Sequence, residues 1–393
     1  MSAEIAIVAA RRTPIGAFQS VLSKQSAPQL GAVAVRAALS DAGVDPGSVD
    51  DAILGCCLFG GLGQAPARQA VRGAGLPDSV PCSTLSKMCG SGMKAAMLMH
   101  DQLRAGSIRV GLAGGMESMS NAPYLLARAR SGYRLGHGEL LDHMYRDGLE
   151  DAYEGRLMGY YADRTAERFG WSRAEQDAYA AESVRRALSA QRSGAFLEEI
   201  APVAIEIGRG ASTTVAEDEI PATCDVSRLP SLRPPFSPEG TVTAGNASSI
   251  ADGAAALVMM RMDDAEAVGI RPLARVVGYA GFASAPAEFT TAPAEAVRGV
   301  LDRAGWRATD VDLYEINEAF AVVTLIAMKE LEIGWDKVNV HGGACALGHP
   351  IGATGARIIV SLVHALRHYR LRRGIAALCI GGGEATAMAI EAC

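Results

Sequence analysis

Two widely separated stretches of this chain follow the same order of elements. Cys89-Gly90-Ser91-Gly92 opens a predicted helix that runs to about Ala105, and the strand Arg109 to Gly115 follows and ends on glycines. Gly352-Ala353-Thr354-Gly355 opens a predicted helix that runs to about His368, and the strand Ile375 to Ile380 ends on Gly381-Gly382-Gly383. The glycine-rich start and the glycine stop lie about 25 and 29 residues apart in the two copies. A long helix between strands needs a sheet to cover, so the pattern predicts βαβ units. It reads as an internal duplication. Two unrelated βαβ units of an α/β protein would also show this order.

Other elements fit that frame. Ile5 to Ala9, Asp51 to Cys57, Leu273 to Gly281 and Val311 to Ile316 are short apolar runs of strand length. Gln29 to Ala42 and Ala292 to Ala304 have helical apolar spacing, and Gly43 closes the first. The alternation predicts a mostly parallel sheet covered by helices on both faces. Residues 120 to 250 are different: rich in charge, tyrosine and glycine, with long loops around a helix from Trp171 to Ser193. Ser172 is placed as its cap, with Glu175 three residues on. Loops of that length in a compact chain usually serve function, and a lid or cofactor-covering insertion is expected.

Composition excludes several classes. A length of 393 residues suggests two or three domains, and an apolar content of 49% supports a large core. The formal net charge of −6 speaks against a general nucleic-acid binder. Only five of the 37 basic residues are lysine. The eight cysteines form no C-x-x-C pair and no small-domain framework, which predicts free thiols in a reduced compartment. The N-terminal MSAEIAIVAARRTP has its charge after a short apolar run, the reverse of a secretory signal. No apolar run reaches the length of a membrane span. The cytoplasm is the expected location.

Chemistry concentrates in four segments. In Ser86-Lys87-Met88-Cys89-Gly90-Ser91-Gly92 a cysteine meets the unpaired N–H groups of a helix start, which favours thiolate. A free cysteine is as often a small core residue. GSGMKA also fits a dinucleotide fingerprint, but the next strand ends in glycine instead of an acidic residue. Gly348-His349-Pro350 locks a histidine just before a helix, and the bland alternative is a satisfied turn histidine. Cys379 ends a strand beside glycines that expose backbone N–H donors, a weak signal by itself. Asn317-Glu318-Ala319-Phe320 follows an apolar strand, where Asn317 could equally cap a helix.

Together these segments resemble the thiolase family over essentially the whole chain. Matching stretches include Arg12-Thr13-Pro14-Ile15-Gly16, Pro66-Ala67-Arg68-Gln69, Gly114 to Ser120, Gly240 to Ser248, and NVHGGACALGHPIGATGAR from Asn339 to Arg357. The resemblance implies an α/β fold of duplicated βαβαβ halves in five layers, α-β-α-β-α, with an inserted loop domain. It divides the chain into an N-terminal half at 1–120 with strands returning at about 245–270, a loop domain covering coenzyme A at 121–245, and a C-terminal half at 271–393. It implies reversible Claisen condensation and thiolysis of 3-oxoacyl-coenzyme A by an acyltransferase of fatty acid metabolism. Cys89 would carry the acyl group, His349 would take its proton, and Cys379 would act as general acid and base. His349 and a water held by Asn317 would serve an enolate oxygen; the N–H groups of Cys89 and Gly381 would serve a tetrahedral one. Leu149, Met158, Phe236, Ala244, Ser248, Ala319 and Phe320 would line the pantetheine tunnel, with Ser248 bonding its amides. No metal and no tightly bound cofactor are implied; acyl-CoA and CoA come and go as substrates. A homo-oligomer is expected, a tetramer before a dimer, assembled through the sheets and the loop near Asn121 to Asp142.

Three positions depart from the family's pattern. Leu157 stands where short-chain members carry histidine, which points toward bulkier or longer acyl groups. Ser86 and His341 each replace a usual asparagine. No basic residue near Pro221 matches the one that meets the CoA nucleotide in some relatives; Arg228 is a candidate replacement. A decarboxylating ketosynthase on the same fold would pair its cysteine with two histidines, whereas the third position here is Cys379. A carrier that merely kept the fold would have lost one of Cys89, His349 or Cys379.

Overall fold

The computed structural model describes residues 3–208 and 210–393. Its nine principal strands are β1 (Ile5–Arg12), β2 (Asp51–Gly55), β3 (Cys82–Leu85), β4 (Val110–Ser118), β5 (Ala251–Arg261), β6 (Ala274–Ala283), β7 (Leu313–Ile316), β8 (Arg373–Ile380) and β9 (Glu384–Ala392). They form one ladder in the order β7-β8-β9-β6-β1-β5-β4-β2-β3, with Gly16–Ala17 added beside β5. The order is a pseudo-twofold: β1, β5, β4 and β2 on one side mirror β6, β9, β8 and β7 on the other. The halves meet where β1 pairs antiparallel with β6.

The sheet is mixed, which corrects the mostly parallel expectation. The pairs β7/β8, β2/β3 and β2/β4 are parallel, while β1/β5, β1/β6, β5/β4, β6/β9 and β8/β9 are antiparallel. In each half a long return strand, β5 or β9, is responsible. Both are buried along nearly their whole length because both of their faces are covered, and such strands carry no sign of direction.

The eight longer helices are α1 (Ala27–Ala42), α2 (Pro66–Gly73), α3 (Ser91–Arg104), α4 (Met158–Phe169), α5 (Arg173–Ser193), α6 (Ala292–Ala304), α7 (Ala321–Leu331) and α8 (Ile351–Tyr369), of which α4 and α5 belong to the insertion and pack on α7. Strand alternation sorts the layers. On β5, Ala254, Ala256, Val258 and Met260 face α1 and α2, whereas Ala255, Leu257 and Met259 face α3 and α8. On β9, Met388 and Ile390 face α3 and α8, whereas Ala385, Ala387 and Ala389 face α6 and α7. The result is helix, sheet, helix pair, sheet, helix. The capping box at Ser172 and Glu175 forms as read, and Gly43 closes α1 in the left-handed conformation.

The middle layer fixes the rest. A Cβ on Gly92 would lie 2.6 Å from the Ala356 amide nitrogen, and one on Gly355 would lie 2.4 Å from that of Met93. The first turns of α3 and α8 therefore touch backbone to backbone. Because both helices are entered from the segments that carry Cys89 and His349, this contact brings the two segments together. The insertion is tied on by a buried ion cluster: Arg12 on β1 donates to Glu199 at 2.6 Å and to Asp218 at 2.7 and 2.8 Å. Among the described residues no helix is long and apolar enough to cross a membrane.

Gly355→Ala should destabilise the protein by about 1–3 kcal/mol, because neither helix backbone can yield without opening the core. Urea denaturation reads this as a lowered midpoint at constant slope. An unchanged midpoint would mean that the helix starts are free to separate.

Candidate active site

Cys89 sits in a tight turn between β3 and α3. Met88, just before it, has φ +46, a left-handed conformation that β-carbon sterics disfavour. Ser91 pays for that strain locally: its Oγ accepts from the Lys87 amide at 2.8 Å and donates to the Met88 carbonyl at 2.7 Å. Lys87 also pairs with Glu384 at the start of β9, so the turn is held from both halves of the molecule. Its outer side packs on Ile380, whose Cδ1 would lie 2.4 Å from a Cβ on Gly90.

The N–H groups of Gly381 and of Cys89 itself lie near the Cys89 sulfur and favour its charged form. Cys379 lies at the end of β8, 1% exposed, close enough to Cys89 that each sulfur's charge would oppose the other's. The helix-start reading of Cys89 as thiolate is corrected. Burial outweighs the two donors and raises its pKa to about 11, so the resting group is a thiol. Burial pushes Cys379 up as well, and the neighbouring Cys89 adds to the effect.

His349 follows Gly348, whose φ of +96 makes the sharp entry to α8. Its amide donates to the Ser249 carbonyl at 2.9 Å, and its Nδ1 lies 2.6 Å from Thr354 Oγ1. Thr354 uses its only proton on the Pro350 carbonyl at 2.9 Å. The hydroxyl must then accept from Nδ1–H, which leaves Nε2 as the bare nitrogen. That Nε2 is buried and has no partner in the protein. Burial, with the Arg357 charge in second place, lowers the ring's pKa to about 3. The site therefore holds two thiols and a neutral imidazole with an open lone pair.

Asn317 follows β7, its backbone N–H donating to the Ala377 carbonyl at 2.9 Å, and its side-chain Nδ2 is a buried donor without a partner among the described residues. An apolar wall adjoins Cys379: Met158, Phe236, Ala319 and Phe320 share its cluster, and Leu149 packs with Cys89. Met158 Cε would be 3.7 Å from a Cβ on Gly381. Gly159 has no side chain because Phe236 occupies the space, 2.3 Å from where a Cβ would be. Ser248 is joined to the same wall by its amide bond to the Ala319 carbonyl, at 3.0 Å. Ala244 is exposed at the rim. Arg228 is farther out, on the turn Val226–Ser231, whose Leu229 packs on Gly245 next to Ala244.

Several residues that shape the site carried no role in the sequence reading. Glu117 is fully buried and accepts from the amides of Cys57 (3.0 Å), Leu58 (3.1 Å) and Gly352 (2.8 Å), fastening the loop after β2 to the start of α8. Asn339 bonds both the amide and the carbonyl of Ile316 and the Glu318 carboxylate. Thr354 and Arg357 stood inside quoted motifs, yet only their neighbours in space show what they do.

Comparison with known proteins decides the family. The model described as "Thiolase, N-terminal domain" matches residues 5–263, and "Thiolase, C-terminal domain" matches 270–392. The chain belongs to the thiolase family. Acetyl-CoA acetyltransferase 2 of Arabidopsis thaliana is 48% identical to it over 390 residues, 99% of this chain and 97% of that protein. Acetyl-CoA acetyltransferase of Pseudomonas aeruginosa is 47% identical, covering 98% and 99%. Among solved structures, the acetyl-CoA acetyltransferase of Bacillus anthracis superposes with a TM-score of 0.97 at 42% identity, covering 100% of this chain and 99% of that one. The Acat5 thiolase from Ascaris suum in complex with coenzyme A gives 0.93 at 40% identity, covering 99% and 100%. The duplicated halves and five layers are thus those of the thiolase fold.

The depressed pKa of His349 has a direct consequence. The native thiolase refuses a proton that the unfolded chain accepts below about 6.5, so this contribution to stability is present above 6.5 and is lost as pH falls toward 3. The loss amounts to about 1.4 kcal/mol per pH unit for that group. His341, buried and lowered to about 4, acts with the same sign. Histidine-labelled NMR should find no His349 ring titration between pH 5 and 8. A midpoint near 6.5 would show a solvated ring.

Proposed function

We propose that this acyltransferase is an acetyl-CoA C-acetyltransferase or 3-ketoacyl-CoA thiolase working through an acyl group on Cys89. The observation that carries the reading is the pair of N–H donors at the Cys89 thiol, with Cys379 beside it and the bare His349 Nε2 at the same helix-start contact. The names of the 46–48% identical relatives support the acetyl substrate.

In the first half-reaction His349 Nε2 takes the Cys89 proton as sulfur attacks the thioester carbon. The oxygen becomes an oxyanion facing the N–H groups of Cys89 and Gly381. When the tetrahedral adduct collapses, the C–S bond to CoA breaks and the Cys379 thiol protonates the departing thiolate. Cys379 is then a thiolate, and in the second half it removes the α-proton of an incoming acyl-CoA. The enolate oxygen meets the proton now on His349 and the water on Asn317. Its carbon attacks the acyl group, the bond to Cys89 sulfur breaks, and the departing thiolate takes back the proton held on His349. Thiolysis is the reverse.

Met158, Phe236, Ala319, Phe320 and Leu149 would wall the pantetheine arm, with Ser248 on its amides. Ala244 and Arg228 would lie toward the nucleotide end. The exposed Tyr124, Leu126, Leu135 and Leu140 of the hairpin after β4 support a homotetramer, which light scattering on the intact protein would measure. A cytoplasmic place in fatty acid metabolism accompanies this proposal and is read by fractionation.

Incubation with acetyl-CoA followed by mass measurement should find an acetyl group on Cys89. Cys379→Ala should still acylate, while carbon–carbon bond formation falls by about 100- to 10,000-fold. Undiminished carbon–carbon bond formation in Cys379→Ala would place Cys379 outside the proton transfers. In a thiolysis series over 3-oxoacyl chain length, Leu157→His should shift preference toward the shortest substrate, and an unmoved profile would release Leu157 from the acyl pocket. In the same assay Arg228→Ala should raise the KM for CoA with kcat held; an unaltered KM would remove it from the nucleotide end.

A further inference from the structure

Arg357 belongs to the second turn of α8, only 2% exposed, and reaches across to the segment after β7. Its Nη1 lies 3.4 Å from Glu315 Oε2 and its Nη2 lies 3.4 Å from Asn317 Oδ1. A guanidinium has donors only. Whatever faces it must accept, so the oxygen end of the Asn317 amide turns to Arg357 and the Nδ2 end turns away. That nitrogen is buried without a partner, as is His349 Nε2. An unpaired buried donor and an unpaired buried acceptor are costly to the folded protein unless a substrate or water uses them.

We propose that Arg357 is a positioning residue for the enolate step: its donor-only guanidinium fixes which end of the Asn317 amide faces the reacting carbons. This rests on the proposed thiolase reading of the site and extends it. A neutral side chain at 357 would let the amide rotate, and an oxygen would then face the developing enolate. Acylation of Cys89 uses His349 Nε2 and the N–H groups of Cys89 and Gly381 and does not involve Asn317; His349 is kept neutral first by its burial, which a change at 357 leaves in place. The two half-reactions should therefore separate.

Arg357→Met should leave the rate of Cys89 acetylation within about threefold of the parent protein. It should slow deuterium entry from D2O into the acetyl methyl of acetyl-CoA by about 100-fold, the loss typical of one oxyanion donor. Arg357→Lys, which retains a donor-only cation, should recover most of the exchange. Asn317→Ala should show the same defect, and Arg357→Met added to it should cost no more, because the arginine acts through the amide. Should Arg357→Met fail to fold for want of a partner for Glu315, Glu315→Gln with Arg357→Met removes both charges and carries the same expectation. Equal losses in acetylation and exchange, or additive losses in the double variant, would overturn the proposal. Absence of acetyl-Cys89 in the parent protein would instead overturn the thiolase reading, and this inference with it.

Discussion

The contact between the first turns of α3 and α8 is the constraint on which the molecule depends. Glycines at 92 and 355 let two helix backbones approach more closely than any side chain would permit. The helices lie between two sheet halves, so four layers register on this one contact. The turn carrying Cys89 and the turn carrying His349 are the entrances to those two helices. Their meeting is a consequence of the packing of the core, and the chemistry occupies the place where the two copies of the fold touch.

Burial sets the proton inventory of the site. Burial raises both thiols and lowers the imidazole, so every group rests uncharged. Charge appears only during reaction, where N–H groups and two unpartnered side-chain atoms are already aimed. Donors held in place beforehand need no reorganisation when charge develops, which is the main source of electrostatic catalysis. Glu117, held by three amides, serves as a support, and Arg357 reaches Glu315, whose pKa burial raises to about 8.

Much of this was legible in the sequence. The glycine-rich helix starts, the caps at Ser172 and Gly43 and the three reactive side chains stand in local patterns with local physical causes. What was not legible depends on partners remote along the chain. The direction of β5 and β9 is invisible in runs buried on both faces. The protonation of Cys89 was misread because a helix start is a local feature, whereas burial depends on packing from the far half, where Ile380 lies against Gly90. Thr354 fixes the His349 tautomer only because its own proton is spent on Pro350, and the orientation of Asn317 depends on an arginine 40 residues away.

The convergence of the two sulfurs is open to direct measurement with a short bifunctional thiol reagent. Treatment of the intact protein with 1,3-dibromoacetone, followed by peptide mass spectrometry, should yield one three-carbon bridge joining Cys89 to Cys379. The bridge should disappear when acetyl-CoA is added first. A bridge from Cys89 to Cys57 in its place, or alkylation of Cys89 and Cys379 on separate reagent molecules, would contradict the account.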